Sequence, residues 1–250
     1  MFMKLYVTHN RKGPLGILRF ANPAGNSLTY LLLKQINSRL IELEKDPKVK
    51  VIIIESEGER AFCGGASLSE MKTLVNLEQA TNFFMGFAEV LNTIRTLTKF
   101  CVARVQGKVV GGGVGLVAAC DYVIAHESAA IKLSELSIGI GPYVIEPAVS
   151  RKIGLTAFIN LSLDAYNWKS SKWGLEKGLY SSVYKNLEEL DSGVNEIASR
   201  LAAYPQKAIK TLRKLHWKDT DFWADLLPKN AKITGKLALE QATQNILKKL

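Results

Sequence analysis

Runs of apolar residues along this chain change period several times, and the changes mark out its elements. Lys4–His9 and Leu15–Phe20 read as two short strands joined by the turn signal Asn10-Arg11-Lys12-Gly13-Pro14. Leu32, Ile36, Leu40 and Leu43 then recur at helical spacing, behind Ser27 or Thr29 as a cap and ahead of Asp46-Pro47 as a stop. Apart from Lys50, Val49–Ile54 is an apolar and β-branched run, the pattern of a strand buried on both faces. Glu57–Ala66 reads as a glycine-bearing loop, 77–97 as a second helix and Cys101–Val105 as a strand. A glycine-dense turn, a short helix Gly113–Ala119 and strands Asp121–Ala125 and Ala130–Leu133 follow. From Ile145 the pattern is helical apart from a strand at Leu179–Tyr184. This alternation predicts an α/β fold. No linker, low-complexity segment or sequence repeat divides the chain, so one domain is expected over 1–250.

Composition narrows this picture in few places. With 250 residues, 47% of them hydrophobic, the chain can bury a sizeable core. No apolar run has membrane-spanning length, and Met1–Lys12 lacks the features of a signal peptide, so a cytoplasmic protein is expected. Cys63, Cys101 and Cys120, like His9, His126 and His216, are not spaced as metal ligands. The net charge of +10 suits a polyanionic ligand, but the lysines are spread along the chain and equally describe a solvated basic surface.

Two glycine-rich segments carry the candidate chemistry. In Ala61–Met71, adjacent Gly64 and Gly65 let the backbone turn tightly before a helix whose first N–H groups have no internal partner. Such donors suit a developing oxyanion, although an ordinary strand-to-helix connection accounts for the segment equally well by itself. In Gly107–Gly115, three consecutive glycines open a short helix at a propensity cost of about 1 kcal/mol each, so something must approach that backbone closely. Gly113–Ala118 also matches the dinucleotide pattern G-x-G-x-x-A, but mid-chain, before a two-turn helix, and it is discounted.

Taken with Glu44–Val49, Val51–Ile54, Cys120-Asp121 and Leu133–Gly141, these segments resemble the enoyl-CoA hydratase/isomerase, or crotonase, superfamily. The resemblance implies a spiral of ββα units, a core over about 1–190, and C-terminal helices over about 191–250 that form a homotrimer or a dimer of trimers. It implies an acyl-CoA thioester substrate, with coenzyme A part of the substrate and no separate cofactor. By motif match the thioester oxygen would accept from the backbone N–H groups of Ala66 and Gly112. Gly64, Gly65, Ser67, Leu68, Gly111 and Ser134 would line the substrate site.

Hydratases of the family use two glutamates. One position is Glu135, in Ser134-Glu135-Leu136-Ser137-Ile138-Gly139; the other is Gly115, which cannot act as an acid or base. One carboxylate suffices to move a proton between carbons of one substrate, so an isomerase-like site is favoured. The alternative is a hydratase of a branched or functionalised enoyl-CoA in which Tyr143, Glu146 or the substrate's own carboxylate supplies the second group. Tyr143 stands where some relatives carry an aspartate. Decarboxylase and dehalogenase chemistry belong to the same scaffold. An RNA-binding or non-catalytic crotonase-like protein is a reading of another class, allowed by the charge but without an aromatic RNA-binding motif or an arginine-rich run. Ser67 is read as a helix cap, Cys63 as a small buried hydrophobe, and Trp217, Phe222 and Trp223 as an oligomer contact or local core.

Overall fold

The computed structural model describes residues 5–250. The described residues hold nine strands and eleven α-helices, beginning with β1 (Tyr6–Lys12), β2 (Leu15–Ala21), α1 (Tyr30–Lys45), β3 (Val51–Ser56), β4 (Ala61–Cys63), α2 (Leu68–Met71), α3 (Leu77–Thr96), β5 (Phe100–Val105), β6 (Lys108–Val110), α4 (Gly112–Ala119), β7 (Tyr122–His126) and β8 (Ile131–Lys132). A 3₁₀ turn, Glu135–Ile138, precedes α5 (Glu146–Ile153), α6 (Leu155–Leu163), α7 (Ser171–Glu176), β9 (Ser182–Tyr184), α8 (Leu187–Ala203), α9 (Gln206–His216), α10 (Trp223–Leu239) and α11 (Gln241–Lys249).

The strands divide between two sheets. The larger has the order β1-β2-β3-β5-β7-β9, parallel throughout except for the β1–β2 hairpin. The smaller, β4-β6-β8, is parallel. Each turn of chain lays one strand in the large sheet, the next in the small sheet, and then returns through a helix: β3-β4-α3, β5-β6-α4, β7-β8-α5. This is the spiral of ββα units that the resemblance implies. It recurs in the backbone without a repeat in the sequence.

β3 explains why the Val51–Ile54 stretch has no polar face. Val51 and Ile53 point into a cluster with Leu190, Val194 and Ala198 of α8. Ile52 and Ile54 point the other way, into the main core with α1 and α3. Full burial of each side chain stabilises the fold by roughly 1.5–3 kcal/mol. The C-terminal helices, expected to serve an oligomer, bury apolar faces on their own chain. α8 covers the outer face of the large sheet. α10 lies against α3, close enough that a Cβ on Gly235 would be 2.9 Å from the Thr81 nitrogen. Trp217 and Trp223 meet edge-to-face at 5.7 Å inside the subunit, while Phe222 is exposed.

Helix ends are closed by specific side chains. Thr29 Oγ1 accepts from Leu32 N–H at the start of α1, and Lys99 Nζ donates to the Leu43, Glu44 and Asp46 carbonyls at its end. The end of α3 is closed from a distance: the buried Arg213 guanidinium donates to the carbonyls of Ile94, Arg95 and Leu97. Its Nε donates to Asp121 Oδ2 at 3.0 Å, and Asp121 also accepts from Cys101 N–H and Trp217 Nε1. Among the described residues, no helix is long and apolar enough to cross a membrane.

Candidate active site

The carboxyl ends of the three small-sheet strands converge on one cavity. β4 runs into Gly64–Ala66, β6 into Gly111-Gly112, and β8 into Ser134-Glu135, and all seven of these residues line it. Loops at the carboxyl ends of parallel strands are where an α/β sheet most often builds a site. The cavity holds about 270 Å³. Its remaining walls come from α2, α3, Val110 of β6, the 3₁₀ turn and the segment after it, Thr234 of α10 and Leu250.

Two backbone donors are left free at this edge. Leu28 forms an isolated parallel bridge with Ala66, in which Leu28 N–H donates to Gly65 O and Ser67 N–H donates to Leu28 O. That pattern uses the groups flanking Ala66 and turns the Ala66 N–H to the opposite side. Gly112 is the first residue of α4, where helix geometry provides no acceptor for its N–H. Among the described residues, neither N–H donates to a protein acceptor. The two loops touch through glycines with positive φ: Gly65 at +82° and Gly111 at +50°. A Cβ on Gly65 would stand 3.0 Å from Val110 O, so a side chain there would push the loops apart.

Glu135 supplies the ionisable group. The residue is partly exposed, but its carboxylate oxygen Oε2 is buried and has no hydrogen-bond partner. A Cβ on Gly111 would lie 2.8 Å from Glu135 Oε1, so the carboxylate rests against the Gly111 backbone, next to the free N–H of Gly112. Desolvation raises its pKa from 4.5 to about 7, opposed by its own backbone hydrogen bond. Gly139, left-handed at φ +87°, closes the turn that carries it.

Among the residues expected at the site, Ala66, Gly112, Glu135, Gly64, Gly65, Leu68, Gly111 and Ser134 all line the cavity. Ser67 and Tyr143 do not. Ser67 is 2% exposed and caps α2, its Oγ accepting from Glu70 N–H. The Tyr143 ring packs over Gly141 with 40% of the residue exposed. Glu146 begins α5 and also lies outside the lining. Burial pushes the Cys63 thiol up to about 12, consistent with a buried hydrophobe and not a thiolate.

Gly115 has a packing role as well. A Cβ there would be 2.6 Å from Ile145 Cβ, so α4 and the start of α5 meet through this glycine. Ile145 therefore fills the space into which a side chain at position 115 would project, and it is itself a cavity residue. Sequence reasoning missed Ile145 together with Met71, Phe84 and Phe87. All four are apolar, and nothing in an apolar pattern distinguishes a cavity wall from core.

The enoyl-CoA hydratase/isomerase family profile matches residues 11–244, so the chain belongs to that family, an enzyme family of the crotonase superfamily. It is 29% identical over 202 residues to a probable enoyl-CoA hydratase of Bacillus subtilis, covering 80% of this chain and 78% of that protein. It is 28% identical to the mitochondrial 3-hydroxyisobutyryl-CoA hydrolase of Danio rerio over 81% of this chain but only 56% of that longer protein. The crystal structure of enoyl-CoA hydratase from Bacillus halodurans superposes with a TM-score of 0.91 at 20% identity, covering 98% of this chain and all of that one, which establishes the common fold.

Proposed function

We propose that the protein isomerises an enoyl-CoA with a single carboxylate, moving a double bond from C3–C4 to C2–C3. The thioester oxygen accepts from Ala66 N–H and Gly112 N–H. Glu135 removes a proton from C2, and the electron pair of the C2–H bond becomes the enolate, whose charge those two donors stabilise. The same carboxyl group then delivers the proton to C4. The C2–C3 double bond forms, the C3–C4 double bond is lost, and no atom is gained or lost overall. A carboxyl group with a pKa near 7 serves both steps, since at neutral pH it is neither too weak a base nor too weak an acid.

One observation carries this reading: among the described residues, Glu135 is the only ionisable side chain lining the cavity. Hydration requires a water molecule to be held and activated while a proton reaches the α-carbon, and the position of a second carboxylate at residue 115 is occupied by Ile145. The hydratase names of relatives favour hydration as the second reading, in which Glu135 would have to manage both tasks.

A paired assay separates the two. Purified protein is given 3-hexenoyl-CoA and crotonyl-CoA, and the conjugated-enoyl absorbance is followed, its gain reporting isomerisation and its loss hydration. Isomerisation without hydration, abolished by Glu135→Gln, is expected. Hydration of crotonyl-CoA without isomerisation of the hexenoyl ester would overturn the proposal.

A further inference from the structure

Given an acyl-CoA thioester in this cavity, the lining also limits which acyl groups can enter. The walls beyond the oxyanion donors are Met71, Phe84, Phe87, Ile138, Ile140 and Val144. No lysine, arginine or histidine lines the cavity among the described residues. The side-chain hydroxyls are largely committed. Ser137 Oγ donates to Ser134 O at 2.7 Å, and Thr234 Oγ1 donates to Asn230 O at 2.9 Å. Among the described residues, this leaves Ser134 as the one lining hydroxyl with an uncommitted proton.

We infer that the site selects acyl-CoA thioesters whose acyl chain is uncharged and apolar, and rejects chains that carry a second carboxylate. An acyl carboxylate would lose its hydration on entry and meet no cation. At most one hydroxyl would meet it, and the two free backbone N–H groups serve the thioester. Among the described residues, the only charged side chain it would face is Glu135, of the same sign. Burying an unpaired carboxylate costs far more than the contact of one methyl group returns. The preference is thus set by what the walls lack, and it is independent of whether the enolate arises by proton removal from C2 and is protonated at C4, or arises by addition of water at C3 and is protonated at C2.

The test uses the whole protein and two unreactive ligands of equal chain length, hexanoyl-CoA and adipoyl-CoA, which differ by a terminal carboxylate. Binding of each is measured by calorimetry beside free coenzyme A. Hexanoyl-CoA is expected to bind more tightly than adipoyl-CoA by about tenfold or more, the factor that corresponds to about 1.4 kcal/mol. Equal affinity of the two esters, both above free coenzyme A, would overturn this inference and leave the proposed function standing. If neither ester bound more tightly than free coenzyme A, the acyl group would not occupy the cavity, and the proposed function would fall with the inference.

Discussion

Glu135 and the Asp121–Arg213 pair are both buried charge centres, but they are built on opposite principles. Asp121 accepts three hydrogen bonds, from Cys101 N–H, Arg213 Nε and Trp217 Nε1. Arg213 spends its remaining donors on the end of α3. Every charge is answered, and the pair ties α9 to α3 and to the start of β7. Glu135 has an oxygen that nothing answers, and burial alone moves its pKa to about 7. A satisfied buried charge holds elements in place; an unsatisfied one beside free backbone donors is poised to exchange a proton.

The largest effect that distinguishes the two centres is on turnover. Glu135→Gln should lower kcat by about 10²–10⁴-fold, the usual range for loss of a positioned acid–base group. Its stability should move the other way, with a pH dependence that can be worked out. The folded-state pKa lies above the ordinary value of 4.5, so between pH 4.5 and 7 the folded state holds a proton that the unfolded state has released. Wild-type stability therefore falls as pH rises through that window, by up to about 3 kcal/mol, and the loss is complete above pH 7. Chemical denaturation at pH 4.5 and pH 8 should show Glu135→Gln gaining on wild type at the higher pH only. Activity limited by the basic form of Glu135 should decline below about pH 7. A stability difference independent of pH would mean that the carboxylate is not desolvated.

Arg213→Leu probes the satisfied centre. It leaves Asp121 buried without its cation and strips the end of α3 of its donors. A cost of about 3–5 kcal/mol is expected, read as a melting temperature lower by about 10 °C for a chain of this size. Whatever protein remains folded should keep a wild-type KM, because Arg213 does not line the cavity. A large change in KM with unchanged stability would reverse the assignment of the two centres.

Gly115→Ala is expected to cost about 1–3 kcal/mol by overpacking against Ile145. Ile145→Ala in the same chain should recover part of that cost, and a double-mutant cycle measures the coupling. The contact also changes what Gly115→Glu can teach. Introducing a carboxylate there requires Ile145 to be shortened first, so hydration is to be sought in the double variant.

How much of this was legible in the sequence depended on the range of the interaction responsible. The β-branched run of β3, the Thr29 cap of α1 and the helical period of α3 are local, and the sequence reading places all three within a few residues of where they lie. β4 and β6 were read as loops, because each is only three residues long and is flanked by glycines. What holds them is pairing with each other and with β8, at separations of tens of residues. The identity of Glu135 as the candidate carboxylate came from motif spacing, but its burial comes from distant walls. The filling of the Gly115 space by Ile145, thirty positions away, has no signature in either segment.

The smallest expected effect is that of Tyr143→Phe. Sequence position made Tyr143 a candidate second group, since it stands eight residues past Glu135. In the structure its ring lies over Gly141 and is well exposed, and its backbone carbonyl, not its hydroxyl, accepts from Asn230 Nδ2 at 2.8 Å. Removing the hydroxyl takes no polar group out of the cavity and leaves the ring contact intact. Stability and kcat/KM should therefore stay within about twofold of wild type, the equivalent of about 0.5 kcal/mol typical of surface substitutions. A tenfold fall in kcat alone would bring the phenol into the reaction, and hydration with two groups would then displace isomerisation with one.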